Sequence, residues 1–180
     1  LPPVIFAALR QGDPTTANAA ALTQLRLTHR SSKLERYAVE FSALLVRLLQ
    51  GPPGQIALLA CAAAERLGFP ATVVIERIRR QHQSDQAVIG GLLSPACYIE
   101  HSFPAALYLA ARYPDDIEAA LIANTSAGGD NCHRGAVLGA ILGAALGMAA
   151  IPERWIQGLK AHAALEEEIE RFIARFGQES

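Results

Sequence analysis

The sequence predicts an all-α protein, on three observations. Helix-capping and helix-ending residues recur along the chain, and apolar residues repeat at the 3.6-residue period between them. No segment alternates with the period of two that a half-buried strand requires. At least eight helices and no sheet are expected. With 180 residues, 51% of them apolar and 18% charged, the chain has room for one domain, residues 1–180, with a sizeable core. There is no sequence repeat and no linker long enough to divide it.

The elements follow in order. Asp13-Pro14 sets a capping residue before a proline at the first helical position, opening an Ala/Leu-rich helix over Thr15–Thr28. Ser31 or Ser32 caps the next, whose Leu34, Tyr37, Ala38, Phe41, Leu44, Leu45 and Leu48 share one face. Gln50-Gly51-Pro52-Pro53-Gly54 breaks the chain. A helix over Gln55–Leu67 ends at Gly68, and Pro70 opens another with Val73, Val74 and Ile78 on one side. Ser84–Ser94 reads as a loop or short helix because of Gly90-Gly91 and Pro95. Ser102–Tyr113 is a helix with Pro104 in its first turn, and Pro114-Asp115-Asp116 caps one over Ile117–Asn124. A glycine-bearing loop, Thr125–Asp130, leads into a long helix over Asn131–Ala149; Pro152 starts a short helix and Ala163–Phe176 is the last.

Formal net charge is −1 and no Lys/Arg block is present, which sets nucleic acid aside as a partner. Cys61, Cys97 and Cys132 are odd in number and widely spaced, so neither a disulfide framework nor a CxxC zinc site is expected, and a reducing cytoplasm is the default. The chain starts at Leu1 and its single methionine is Met148, so it is expected to begin inside a longer polypeptide. The uncharged run Ala136–Ile151 is short and weakly apolar for a membrane span, and no membrane association is expected. Within it Gly139, Gly143 and Gly147 continue a four-residue spacing begun at Gly135. Such a stripe suits close approach of helix backbones, so this helix is expected to be central and buried on most sides.

The chemistry concentrates in Asn124-Thr125-Ser126-Ala127-Gly128-Gly129-Asp130-Asn131-Cys132-His133-Arg134-Gly135. Gly128 and Gly129 let the backbone turn tightly and approach a ligand. Asp130 then stands at the mouth of a long helix, where free N–H groups favour anions such as phosphate. Its carboxylate suits a hard cation such as magnesium, and it equally suits simple capping. Cys132 and His133 are adjacent, so on a helix they point about 100° apart and make a poor nucleophile–base pair. Zinc held by Asp130, Cys132 and His133 is chemically possible. His162 and Glu166-Glu167-Glu168 read as a solvated helix face, with Arg171 in i,i+4 register with Glu167.

Gly128-Gly129-Asp130, preceded by Asn124 and followed by an Ala/Gly-rich helix, resembles the last metal-binding motif of the ADP-ribosylglycohydrolases. So do Ser102-Phe103-Pro104-Ala105-Ala106-Leu107-Tyr108, Asp115-Asp116-Ile117-Glu118-Ala119-Ala120-Leu121, and Gly12-Asp13-Pro14 followed by Leu27-Thr28-His29. The resemblance implies a compact multi-helix bundle around a two-magnesium cleft, of which this chain is the carboxyl-terminal part. It implies metal-assisted hydrolysis of the glycosidic bond joining ADP-ribose to its acceptor. Asp130 would be a magnesium ligand. The family usually continues with a second Asp two residues later and then Thr or Ser; here Cys132 and His133 follow, a variant met in the wider family. Magnesium prefers hard oxygen to such donors, so the second metal position departs from the pattern. The family's other metal ligands belong to its amino-terminal part, so the fragment alone is expected not to assemble the dinuclear site. His29 matches a position near bound ADP-ribose. Tyr98 and Glu100, preceding the Ser-Phe-Pro helix, together with Gly128 and Gly129, are the remaining candidates for substrate contact. No catalytic acid or base is identified.

Three functions compete. The first is a metal-assisted hydrolase of ADP-ribosylated substrates. The second is a family member that binds ADP-ribose or a related nucleotide without turnover. The third is a packed helical domain with no ligand.

Overall fold

The structure is a computed structural model that describes residues 1–11 and 13–177. It is all-α, with eleven α-helices and no strand among the described residues. The helices are α1 (Pro2–Gln11), α2 (Pro14–Arg26), α3 (Ser32–Gln50), α4 (Ile56–Arg66), α5 (Ala71–Gln81), α6 (Asp85–Ala87), α7 (Ile99–Arg112), α8 (Ile117–Ser126), α9 (Asn131–Leu146), α10 (Glu153–Gly158) and α11 (His162–Phe176). A π-helical turn, Val88–Leu92, follows α6, and a 3₁₀ turn, Met148–Ala150, follows α9. No single helix among the described residues is long and apolar enough to cross a membrane.

The chain divides into two compact units: Leu1–Val46 together with the residues from Ile151 onward, and Arg47–Ala150. In the first, α1 packs on α2 and α11, burying Ile5 and Leu9 with Ala17 and Ala21. Asp13 caps α2 as expected, Oδ1 accepting from the amides of Thr15 (2.9 Å) and Thr16 (3.0 Å). Gly12, part of the family-like Gly-Asp-Pro run, lies outside the described residues. Of the apolar face of α3, Tyr37, Ala38, Phe41, Leu44 and Leu45 are buried, and Leu34 and Leu48 at its two ends are half-buried. In α11, His162 and Glu166–Glu168 are exposed, and Arg171 pairs with Glu167.

In the second unit the hub is α7. Every residue from Phe103 to Ala111 is buried, and α4, α5, α8 and α9 all pack on it. A helix apolar all round is stable only when covered all round. The expectation that α9 would be central is therefore corrected. Only Arg134, Leu138, Ile141 and Leu142 of α9 are buried. A Cβ added at Gly139, Gly143 or Gly147 would meet nothing within 4 Å, so the glycine stripe does not mark close-packed backbones there.

Smaller corrections share a cause: helix ends are weakly encoded. α1 has no polar cap to announce it, its first turn starting instead with Pro2-Pro3, which lack N–H groups that would go unbonded there anyway. α7 begins at Ile99, so Pro104 is interior rather than in the first turn. α9 ends at Leu146 rather than Ala149. In α5, Val74, Ile75 and Ile78 face inward with Ala71, whereas Val73 is 62% exposed because it falls one residue off that face.

Candidate functional site

The glycine turn between α8 and α9 is built on a second, independent loop. Gly128 (φ +68°) and Gly129 (φ +64°) both adopt left-handed backbone. At Gly128 a Cβ would meet open space, but at Gly129 it would lie 2.1 Å from the carbonyl oxygen of Pro95. Gly129 is therefore required by close approach as well as by its φ. The Asp130 amide donates to that same Pro95 oxygen at 2.8 Å. Pro95, in the loop before α7, is thus the seat of the turn.

A buried polar clamp holds the turn from the other side. Arg134, in the first turn of α9, is 1% exposed. Its Nε donates to Asn124 Oδ1 (2.6 Å), and its Nη2 donates to the carbonyls of Asn124 (3.0 Å) and Gly128 (2.9 Å). Asn124, also buried, donates from Nδ2 to the Asn131 carbonyl at 2.9 Å. These bonds tie the end of α8 to the start of α9 across the turn. Burial lowers the pKa of the Arg134 guanidinium, while the Asp130 carboxylate acts in the opposite sense. Sequence reasoning missed Arg134 as a structural key. An Arg four residues after an Asp at a helix start reads as surface, and only the Asn124 partner reveals its burial.

Asp130 occupies the N-cap position of α9, yet its side chain makes no capping hydrogen bond. Its Oδ1 lies instead 2.6 Å from His133 Nδ1, one turn along the helix. The carboxylate is largely enclosed and the imidazole projects into solvent. Simple capping, the plain reading of Asp130, is not what the side chain does. One oxygen is oriented by the imidazole, and the other can accept from water or a sugar hydroxyl or meet a hard cation.

The other candidates are distributed. Cys132 is exposed and its Sγ is directed to Asn131 Oδ1 at 3.6 Å. Asp130 and His133 come together, but no group of three His, Cys, Asp or Glu side chains able to hold a metal exists among the described residues, so the set Asp130, Cys132 and His133 is not gathered around one point. Tyr98 is the exposed N-cap residue of α7, and Glu100 lies in the first turn of that helix rather than ahead of it. His29 belongs to the first unit, in the turn after α2. Its amide donates to the Leu25 carbonyl (2.9 Å) and its Nδ1 lies 2.8 Å from Thr28 Oγ1. The three cysteines are free.

Whether this donor set fits magnesium can be judged from its chemistry. Magnesium asks for near-octahedral oxygen ligands. The described residues offer one carboxylate here, already half engaged by an imidazole, beside a thiol. They do not complete a magnesium site.

A sequence search among curated proteins gives no match. The sequence profile of the ADP-ribosylglycohydrolases, by contrast, matches residues 1–180. An all-α fold, a glycine turn with its aspartate at the mouth of a helix, and a profile match along the whole sequence agree: the chain belongs to the ADP-ribosylglycohydrolase family.

Proposed function

We propose that the chain acts in hydrolysis of the glycosidic bond of ADP-ribosylated substrates, and that Asp130 is the residue it brings to the reacting centre. One observation carries this reading: the Asp130 carboxylate is at the mouth of a sixteen-residue helix but is not spent on capping it. A carboxylate that meets His133 Nδ1 with one oxygen and keeps the other for a ligand suits holding water or a ribose hydroxyl beside the anomeric carbon. Water adds to that carbon as the bond to the acceptor breaks, its oxygen staying on the ribose and its proton passing to the departing acceptor. The amino terminus of α9 presents a setting that favours the negative charge of a diphosphate. Tyr98 and Glu100, at the start of the helix that follows the Pro95 seat, are the side chains of this unit assigned to substrate contact. The magnesium dependence implied by the family resemblance is proposed with Asp130 as one ligand among several.

The second reading, recognition of ADP-ribose without turnover, is favoured by Cys132 and His133, which stand where the family usually has an acid and a hydroxyl. One experiment separates the two. Hydrolysis of an ADP-ribosylated peptide is measured with and without magnesium for the full-length protein and its Asp130→Asn variant, alongside calorimetric titration of ADP-ribose. Activity lowered but measurable in Asp130→Asn with stability retained is the expected result, since Asn keeps the shape of the residue. Tight ADP-ribose binding with no turnover in the wild type replaces the first reading with the second. Equal activity in wild type and Asp130→Asn removes Asp130 from the chemistry.

A further inference from the structure

The segment that seats Asp130 is itself fastened at its far end by a half-buried carboxylate. Asp85, the first residue of α6, accepts a phenolic O–H on each oxygen: Tyr108 on Oδ1 and Tyr113 on Oδ2, both at 2.5 Å. Arg112 Nε lies 3.5 Å from Oδ1, an ion-pair distance, and its guanidinium stacks over the Tyr113 ring at 5.8 Å. All three partners come from α7 or its C-terminal cap, on the hub of this unit. Burial, followed by the bond to Asp85, pushes the Tyr113 phenol up to about 12 and moves Tyr108 upward as well, so both stay protonated donors.

From Asp85 the chain runs through one α-turn and the π-turn Val88–Leu92, closed by the Leu93 amide on the Val88 carbonyl at 2.8 Å, to Pro95. Next to Asp85, Gln86 Nε2 donates to the Ser126 carbonyl at 2.8 Å, at the end of α8 just before the glycine turn. Val88 and Ile89 are fully buried, so apolar packing already holds this segment down. A half-buried carboxylate is not needed for that. An apolar side chain of similar size commonly serves stability as well or better. What two short, directional bonds add is a fixed rotation and height for the segment, and with it for the Pro95 carbonyl on which the Asp130 amide sits. Wide π-turns of this kind recur where a chain must be re-aimed at a functional site.

We propose that Asp85 is a positioning residue for Asp130, acting through the segment 85–97: its two phenol bonds fix the Pro95 seat and thereby the aim of the Asp130 carboxylate. The kinetic part rests on the reading that Asp130 serves hydrolysis; the positional part does not. Asp85→Asn keeps shape and volume but reduces the bonds it can accept, and Tyr113→Phe removes one donor by a change outside the segment. Each is made in the full-length protein. Hydrogen exchange is followed in peptides covering 127–133 and, as a control, α4. In both variants exchange over 127–133 should quicken about tenfold while α4 keeps its wild-type rate, as the loss of one hydrogen bond of ordinary strength would produce locally. Hydrolysis should lose about tenfold in kcat with KM held within about twofold, and Asp85→Asn should cost nothing further in an Asp130→Asn background. Unchanged exchange over 127–133, or equal quickening in α4, overturns the proposal. So does a kcat loss that persists undiminished in the Asp130→Asn background. If Asp130→Asn alone hydrolyses like wild type, the assignment of Asp130 falls, and the exchange result still decides whether Asp85 positions the turn.

Discussion

α7 and α9 pack against each other and both are made largely of small and apolar residues, yet they are held in place by different physics. α7 carries Phe103, Leu107, Tyr108 and Leu109 among its alanines, and neighbours cover it on every side. α9 offers one narrow apolar stripe, Leu138, Ile141 and Leu142, and its fully buried polar group, Arg134, sits in its first turn. The hub is held by packing along its length; the other helix is pinned at the end where the candidate site lies. Centrality follows from side chains large enough to bury, and glycine has none to contribute.

The sharpest way to break this contrast is to cut the pin. Arg134→Met leaves the Asn124 Oδ1, Asn124 carbonyl and Gly128 carbonyl without their donor in a buried place. Each unsatisfied buried acceptor is costly, and a loss of about 3 kcal/mol is expected by denaturant unfolding. A loss under about 1 kcal/mol, the ordinary effect of a point change, would mean that apolar packing holds α9 as it holds α7.

The glycine turn gives the next effect. Gly129→Ala combines left-handed strain with a Cβ placed 2.1 Å from the Pro95 oxygen, so the Pro95 seat has to move. A cost of about 2–3 kcal/mol is expected, against about 1 kcal/mol at Gly128, where strain acts alone. Equal melting temperatures for the two variants would show that the seat yields freely and that Pro95 does not define the turn.

These two sites mark what the sequence could and could not disclose. The helices were legible because period and punctuation are local: the face of α3, the Asp13 cap and the Gln50–Gly54 break all appear where they were read. The motif at Gly128-Gly129-Asp130 was legible as a turn into a helix. What held it was not, since Pro95 and Gly129 are 34 residues apart and their contact leaves no pattern in either segment. Asp85 carries no sequence signal for the same reason, its phenol partners lying 23 and 28 residues on. The stripe from Gly135 to Gly147 misled because spacing shows which residues share a face, not whether anything lies against it. At Gly135 the Asn124 amide does come within 3.0 Å of a would-be Cβ; further along, nothing does.

Overpacking the hub tests its side of the comparison. Ala106 is fully buried in the middle of α7. Ala106→Leu should destabilise by about 2 kcal/mol, through displaced neighbours on α4 or α9. A neutral result would reveal slack in the packing that the burial of nine consecutive residues argues against.

The smallest effect has the opposite sign. Gly139 lies mid-helix in α9 with open space where a Cβ would project. Glycine in a helix interior costs roughly 0.5–1 kcal/mol relative to alanine, because the unfolded chain has more conformations to lose. With no steric charge against it, Gly139→Ala should raise stability by about that amount and the melting temperature by about 2 °C in a chain of this length. The same change at Gly135, where the Asn124 amide stands close, should gain less or nothing. If Gly139→Ala instead lowers the melting temperature, something presses on the outer face of α9 in solution, and the close-packing meaning of the glycine stripe returns. A stabilised Gly139→Ala that keeps wild-type exchange over 127–133 would show that the body of α9 can be changed without disturbing the end that carries Asp130.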